Sequence, residues 1–411
     1  MPSEQRALWR NRDYMLLWSG QVVSRVGTRV SALALPLLVL GITHAPAQAG
    51  LVGALESVPS LLLSLPAGAL VDRWDRKRTM ILCDSGRALA MTTIPLALWF
   101  GRLALPQLYV VALVEGTLSV FFSIALSASL PHVVPPTQLT AAAAQQEALF
   151  PIGDLLGPPI GGALYGAVAR AAPFVLDALS YFASVGALLA IRTPFQRERD
   201  TTAPHDLRQE IGEGVRWLWR QPAIRFLALL SSGCFFVDAG GPLAVLVLAR
   251  DRGASPSTIG LLFAISAVGG LIGFAVIGIV RRRFRFAPLL AAVIWLFALV
   301  WLLAALAPNL AVLAVVTAAG YLFFSIFTSI EAGYRLGLTP DALQGRVNSA
   351  FQLIALGSYP FGMAVTGVCL QRIGPVHTLL VLFAWMLALA VMTTLTAVPH
   401  NGRALAQTPM A

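Results

Sequence analysis

The sequence predicts an all-α membrane protein whose twelve transmembrane helices form two pseudo-symmetric six-helix halves. Hydrophobic residues make up 57% of the 411 residues, charged residues make up only 12%, and the mean hydropathy is +0.76. A soluble domain of this composition would aggregate. One long polar stretch, residues 192–222, interrupts the apolar segments and leaves six of them on each side.

A helix needs about twenty apolar residues to cross a hydrocarbon core about 30 Å thick. Twelve segments of the chain satisfy this requirement. Those of the first half cover residues 14–41, 48–71, 79–100, 106–130, 142–168 and 171–191. Those of the second half cover residues 224–249, 257–280, 286–307, 310–333, 347–370 and 375–397.

The polar stretch also sets the domain boundaries. We expect an N-terminal bundle over residues 1–191, a cytoplasmic linker over 192–222, a C-terminal bundle over 223–398 and a cytoplasmic tail over 399–411. In the linker, apolar side chains recur at helical spacing, which predicts an amphipathic helix: Leu207, Ile211, Val215 and Leu218. Such a helix lies either on the inner membrane surface or against the transmembrane bundle, and the sequence leaves both open.

A weak internal repeat relates the two halves. Pro136 and Leu139 follow the fourth segment, and Pro340 and Leu343 follow the tenth, at an offset of 204 residues. Parallel six-helix repeats are a known architecture of membrane transporters, which bind their substrate near the middle of the bilayer.

The basic residues indicate the orientation of the chain. The formal net charge is +10, but 21 of the 29 lysines and arginines lie on the side that holds the N-terminus, and five lie on the other side. Cytoplasmic loops attract Lys and Arg, so both termini and the linker are expected in the cytoplasm. Orientation in the bilayer therefore explains the basic charge, and we expect no nucleic-acid partner.

Other classes of chemistry lack a signature. The chain carries no Walker A loop, which argues against ATP-driven transport by this polypeptide. Its five histidines and three cysteines show no metal-ligand spacing. We therefore expect no enzymatic activity, no cofactor and no metal. We also expect a monomer whose partners are a small-molecule substrate, protons and the lipid bilayer.

The loop between the second and third segments carries a motif that resembles the major facilitator superfamily. That family's pattern is Gly-x-x-x-Asp-Arg-x-Gly-Arg-Arg/Lys, and the residues that match it here are Gly68, Asp72, Arg73, Arg76 and Lys77. Asp75 replaces the second glycine, and aspartate is among the few residues that tolerate a left-handed turn. The resemblance covers essentially the whole chain and implies the twelve-helix fold of that superfamily.

The resemblance also implies a role for this loop, which we call the latch loop (residues 68–78). In similar transporters it links the two halves in the outward-facing state, here near Asn348 and Ser349. Gly68 would allow close helix packing, and Asp72 would face a helix N-terminus. The alternative is that the positive charges of the loop only set the orientation.

The fifth segment resembles the antiporter motif of the same superfamily, Gly-x-x-x-Gly-Pro-x-x-Gly-Gly. The matching residues are Gly153, Gly157, Pro158, Gly161 and Gly162. Glycines four residues apart share a helix face and let a neighbouring helix approach closely. The resemblance favours export, and the alternative is an ordinary packing seam of small residues.

Three further stretches resemble the branch that contains macrolide-efflux proteins and enterobactin exporters. They are residues 130–139, residues 214–220 and residues 339–349. Members often carry an acid shortly after the glycine of the first segment, whereas Gly27 is followed here by Thr28 and Arg29. A proton site on the first helix is therefore in doubt.

Charged residues inside the predicted segments are candidates for proton coupling. A charged side chain at bilayer depth costs about 3 kcal/mol on insertion scales, so it faces water or an opposite charge. Helical rise places Arg25, Glu115, Asp154 and Asp238 near the middle of the bilayer, with Arg29 one turn beyond Arg25. We expect Glu115, Asp154 and Asp238 to carry protons and Arg29 to act as a counter-charge. The alternative is a structural set of salt bridges, as expected for Asp84 and Arg87.

Together these features predict a secondary transporter in a bacterial cytoplasmic membrane. It would export an amphipathic small molecule, such as a drug, a macrolide-like antibiotic or a siderophore, by proton antiport with alternating access. Two alternatives stay open: a metabolite uniporter or importer, favoured if Arg25 and Arg29 bind an anion, and a non-transporting membrane protein on the same fold.

Overall fold

A computed structural model describes residues 8–196, 207–340 and 343–400, and within these ranges the chain is almost entirely helical. The helices of the first half begin with α1 (Arg12–Thr43), α2 (Pro46–Val71), α3 (Arg76–Trp99) and α4 (Leu105–Val133). They continue with α5 (Leu139–Glu147), α6 (Leu149–Ala163), which runs into a π-helical turn (Leu164–Val168), and α7 (Ala172–Ala190).

The second half begins with a linker helix and continues with long apolar helices. These are α8 (Leu207–Arg220), α9 (Pro222–Asp251), α10 (Pro256–Arg283), α11 (Phe286–Leu306), α12 (Leu310–Leu338), α13 (Gln344–Gly357) and α14 (Tyr359–His400). Gly374 interrupts α14 with φ 75° and ψ 171°, a conformation that only glycine adopts readily. This break falls between the eleventh and twelfth predicted segments.

Each of the twelve predicted segments is helical in the structure. Within the described residues, nine helical segments are long and apolar enough to cross a membrane. One of these, Gln344–Thr396, covers the eleventh predicted segment and all but the last residue of the twelfth. The predicted all-α membrane fold is confirmed, and its count of twelve spans is consistent with the structure.

The fifth and eleventh segments are interrupted at equivalent places. Ala148 separates α5 from α6, and Ser358 separates α13 from α14. Pro151 and Pro360 follow within three residues, and proline within a helix removes a backbone hydrogen bond and crowds the preceding turn. The shared interruption extends the internal repeat that the sequence indicates.

The chain forms two compact units. The first contains residues up to Leu207 together with Ser255–Ala264, and the second contains Arg208–Ala254 and the residues from Ile265 onward. In the first unit, α1 packs against α6 and α7, α3 packs against α4 and α7, and α2 packs against α4. In the second unit, α14 packs against α9 and α11, α11 packs against α12, and α13 packs against α9.

The linker helix α8 belongs almost entirely to the second unit and packs against α13 within it. Glu213 Oε2 accepts a hydrogen bond from Arg346 Nη1 at 2.6 Å, and Leu218 is fully buried. A Cβ on Gly214 would lie 2.8 Å from the carbonyl carbon of Arg346, so the two backbones nearly touch. Of the two arrangements that the sequence leaves open, these contacts favour packing against the bundle. The side chains of Leu207 and Ile211 lie outside the described part.

Candidate functional site

The first unit buries an ion pair between α3 and α4. Arg87 Nε and Nη2 lie 2.8 and 2.6 Å from Glu115 Oε1, and both side chains are almost fully buried. Arg87 Nη1 also lies 3.4 Å from Asp84 Oδ1, one turn earlier on α3. Arg87 therefore contacts two acids: Glu115, a predicted proton-coupling residue, and Asp84, the partner expected from the sequence for a structural salt bridge.

Tyr181 on α7 extends this pair towards α1. Its hydroxyl donates to Glu115 Oε1 at 2.5 Å, and it lies 2.8 Å from the hydroxyl of Thr28. The guanidinium of Arg87 lies over the Tyr181 ring, 4.2 Å from its centroid. Four helices thus contribute to one hydrogen-bonded group.

Asp177 lies one turn before Tyr181 and is also buried. Ser31 on α1 donates a hydrogen bond to Asp177 Oδ2, and Ser180 lies 3.4 Å from Oδ1. A Cβ on Gly27 would lie 2.9 Å from Asp177 Oδ1, so glycine is needed there for α1 to approach α7. We call Asp84, Arg87, Glu115, Asp177 and Tyr181 the buried acid cluster; it holds three carboxyl groups and one guanidinium.

A second pair joins α1 to α6. Arg29 Nε lies 2.7 Å from Asp154 Oδ1, and both side chains are more than a third exposed. One turn earlier on each helix, the guanidinium of Arg25 lies 3.9 Å from the ring centroid of Phe150. The structure thus brings together Arg29 and Asp154, two of the predicted coupling residues.

The other two predicted coupling residues lie elsewhere. Glu115 belongs to the buried acid cluster and, within the described residues, forms no hydrogen bond or ion pair with Arg29 or Asp154. Asp238 lies on α9, in the second unit. The structure therefore distributes the four predicted residues over three places.

The glycines of the antiporter-type motif lie against α1. A Cβ on Gly153 would lie 2.9 Å from Arg25 Cγ, and one on Gly157 would lie 2.8 Å from the carbonyl carbon of Arg29. A Cβ on Gly161 would lie 2.5 Å from the carbonyl oxygen of Val30. These three glycines let α6 lie against the backbone of α1.

Gly162 and Pro158 lie against a different neighbour, the first turns of α10, which belong to the same unit. A Cβ on Gly162 would lie 3.0 Å from the carbonyl carbon of Pro256, and one on Gly260 would lie 3.0 Å from that of Pro158. Ser257 donates a hydrogen bond to the carbonyl oxygen of Gly162 at 3.3 Å. The motif therefore lies at two contacts of α6, one with α1 and one with the first turns of α10.

In the latch loop, Asp72 and Arg73 are exposed, and Asp72 Oδ1 lies 3.6 Å from Arg76 Nη2. Arg76 Nη1 donates to the carbonyl oxygen of Ala128 at 2.8 Å. Lys77 donates to the carbonyl oxygen of Ile191 at 2.6 Å. The two cations thus satisfy backbone carbonyls of the first unit near the ends of α4 and α7.

Two expectations for the latch loop need correction. Asp75 does not adopt a left-handed turn: its φ is −68°, and its side chain caps α3 by accepting a hydrogen bond from the Arg78 backbone at 2.8 Å. Within the described residues, nothing lies within 4 Å of where a Cβ on Gly68 would be. Close helix packing at Gly68 is therefore not observed.

The second unit contains its own buried pair on α12. Arg335 Nε donates to Glu331 Oε1 at 2.9 Å, and Arg335 also donates to Asn348 Oδ1. Its guanidinium lies 4.4 Å from the ring centroid of Phe351. These contacts join the cytoplasmic end of α12, in the predicted orientation, to α13.

Sequence reasoning missed Tyr181, Thr28 and Ser31 as parts of the site. A tyrosine four residues after Asp177 shares its helix face, and this spacing is a signal that the sequence contains. The hydroxyls of Thr28 and Ser31 carry no such signal, because serine and threonine are common in membrane helices.

The multi-pass helical fold and the charged residues inside it define a membrane transporter. A family model described as "transmembrane secretion effector" matches residues 5–410. This match covers nearly the whole chain, so the protein belongs to the transmembrane secretion effector family, a branch of the major facilitator superfamily.

Several curated proteins are similar over most of the chain. The multidrug efflux pump Tap of Mycolicibacterium fortuitum is 27% identical over 92% of this chain and 94% of its own length. Macrolide efflux protein A of Streptococcus pyogenes is 23% identical over 93% of this chain and 95% of its own length. The uncharacterized MFS-type transporter YfiS of Bacillus subtilis is 28% identical, over 68% of this chain and 66% of its own length.

Solved structures share the fold. A mutant of the nucleoside transporter NupG has a TM-score of 0.79 at 12% identity, and the match covers 93% of this chain and 99% of that one. A bacterial homologue of the human lysosomal transporter Spinster, in an inward-facing and unoccupied conformation, has a TM-score of 0.76 at 14% identity, over 97% and 99% of the two chains. At these identities the likeness concerns the fold alone.

Proposed function

We propose that this protein exports an amphipathic small molecule across the cytoplasmic membrane in exchange for protons, by alternating access. The cargo class is that of drugs, macrolide-like antibiotics or siderophores. The protein transports its substrate and catalyses no chemical change in it. Both termini lie in the cytoplasm, as the bias of Lys and Arg indicates, and the working unit is a monomer.

Two observations support export over import. Relatives that align over nearly the whole chain are named as a multidrug efflux pump and a macrolide efflux protein. The sequence of α6 also resembles the antiporter motif, and its Gly153, Gly157 and Gly161 lie in close contact with α1. Substitution of these glycines would force the two helices apart.

The excess of carboxyl groups in the buried acid cluster is the observation that carries proton coupling. Asp84, Glu115 and Asp177 are each at most 3% exposed, and the single cation among them is Arg87. Burial of a carboxyl group without an opposite charge favours its protonated form. Glu115 Oε2 accepts no hydrogen bond from the described residues, so a proton can reside there without loss of an existing contact.

The roles of the predicted residues follow from this arrangement. Glu115 binds the proton, and Arg87 favours its release by stabilising the ionised carboxylate. Asp154 and Arg29 form a second, more exposed pair, in which Asp154 also binds a proton. Protonation would remove the negative charge of Asp154 and so release Arg29. Asp238 is proposed as a further proton carrier in the second unit.

An accumulation assay tests the proposal. Cells that overexpress the protein are loaded with each member of a panel of fluorescent drugs, with and without a protonophore uncoupler. We expect lower accumulation of at least one drug than in cells with empty vector, and loss of the difference with the uncoupler. Unchanged accumulation across the panel would favour a non-transporting protein, and an effect that persists with the uncoupler would contradict proton antiport.

A further inference from the structure

Arg25 lies inside a transmembrane helix, and its guanidinium forms no hydrogen bond or ion pair with the residues that the structure describes. We propose that Arg25, together with Arg29 and Phe150, binds the anionic group of an amphipathic substrate, namely a carboxylate joined to an aromatic body. This inference rests on the proposed export function and names the chemical class of substrate that the first unit recognises. Binding of a small anion alone would suit an importer, whereas a carboxylate joined to an aromatic body is an amphipathic substrate of the kind proposed for export.

The geometry places two cations and an aromatic ring on one face. Arg25 and Arg29 are one turn apart on α1, and Phe150 and Asp154 are one turn apart on α6. Arg25 lies over the ring of Phe150, while Arg29 pairs with Asp154. The absence of a side chain on Gly153 leaves room for the aliphatic parts of both arginines.

The ion pairs at this place leave out Arg25. Asp154 pairs with Arg29, and Arg25 makes no hydrogen bond or ion pair within the described part of the chain. Asp84 and Glu115 of the buried acid cluster pair with Arg87 instead. The hydrogen-bond donors of Arg25 are therefore available to a ligand.

The site is also accessible. The side chains of Arg29 and Asp154 are 38% and 37% exposed, and Phe150 is 41% exposed. Charges at bilayer depth are costly in contact with lipid and are normally found facing water-filled cavities. A planar guanidinium binds a carboxylate through two parallel hydrogen bonds, and the exposed part of the Phe150 ring offers a surface for an aromatic body.

Binding of a matched pair of probes tests this inference. The full-length protein is placed in lipid discs of phosphatidylcholine, whose headgroups carry no net charge, and binding of naphthoate and of naphthylmethylammonium is measured by equilibrium dialysis. We expect naphthoate to bind at least about tenfold more tightly than the cation, as one charge-assisted bidentate contact allows. Arg25→Gln should lose this preference and keep the weak affinity for the cation.

Two further variants separate a binding role from a structural one. Arg25→Lys keeps the charge but not the planar fork, so it should retain part of the preference for naphthoate. Arg102→Gln removes an exposed cation on the loop after α3 and should bind both probes as the wild type does. Equal affinity of the wild type for both probes, or an equal loss of both in Arg25→Gln, would overturn the proposal.

The readout is binding rather than transport, so the two proposals can fail separately. If naphthoate shows no preference while the drug-accumulation assay shows uncoupler-sensitive export, the anion site is wrong and the export function stands. If naphthoate binds as expected while no drug is exported, the anion site stands and the export function is wrong.

Discussion

Arg87 on α3 and Glu115 on α4 form a buried ion pair, with Nη2 2.6 Å from Oε1, and Arg87 also lies 3.4 Å from Asp84. The pair crosses the interface between two helices that pack against each other. Burial of charges is costly, so the removal of one partner leaves the other uncompensated. The first unit therefore depends on Arg87 for stability, in addition to the role in proton exchange that we propose for it.

Arg87→Gln should destabilise the protein strongly, by about 3–5 kcal/mol, because it leaves the buried carboxyl groups without a cation. Glu115→Gln should cost less, since Arg87 keeps its contact with Asp84. Thermal unfolding of the purified variants in detergent measures the difference. Glu147→Gln, which changes an exposed acid at the end of α5, is the control and should unfold like the wild type. An Arg87→Gln variant as stable as the wild type would contradict this account.

Gly157→Ala should disrupt the contact of α6 with α1. The added Cβ would lie 2.8 Å from the carbonyl carbon of Arg29, and backbone atoms yield less easily than a flexible side chain. Overpacking of this kind typically costs about 1–3 kcal/mol. Gly186→Ala on α7 is a matched control, because nothing lies within 4 Å of its added Cβ. Equal yields and unfolding temperatures for the two variants would show that the contact is not required.

Substitution of the two aspartates of the latch loop, Asp72 and Asp75, should have different effects. Asp75→Ala removes the N-cap of α3 and should cost about 1 kcal/mol of stability. Asp72→Asn changes an exposed side chain and should leave stability unchanged, while it slows the turnover of export without a change in which drug is bound. Unfolding temperatures and efflux rates distinguish the two. An Asp72→Asn variant with normal turnover and altered drug preference would contradict the assignment.

The sequence predicts the fold because its signals are local. Apolar stretches of span length mark each predicted segment, and the offset of Pro136 and Pro340 indicates the repeat. The interruptions at Ala148 and Ser358 were not predicted, although Pro151 and Pro360 follow them. A proline allows a helix to continue when neighbouring groups satisfy the freed carbonyl, so its presence alone does not locate a break.

The sequence predicts single charged residues of the site, such as Glu115 and Asp154, but it does not predict most of their contacts. Asp84 and Arg87 are three residues apart on one helix, so their contact follows from helical geometry. Arg87 and Glu115 lie on different helices, and their contact depends on the rotation of α3 against α4, which hydropathy does not specify. For the same reason, hydropathy does not predict that Arg25 stacks on Phe150 while Arg29 pairs with Asp154.

Proton movement driven by substrate tests the central claim most directly. The wild type, Glu115→Gln and Asp154→Asn are reconstituted into liposomes with a pH-sensitive dye inside, and a drug identified by the accumulation assay is added outside. We predict a drug-dependent change of internal pH with the wild type and no change with Glu115→Gln, although this variant still binds the drug. Asp154→Asn should show a reduced change of internal pH. Wild-type proton movement in both amide variants would contradict proton antiport through these carboxyl groups.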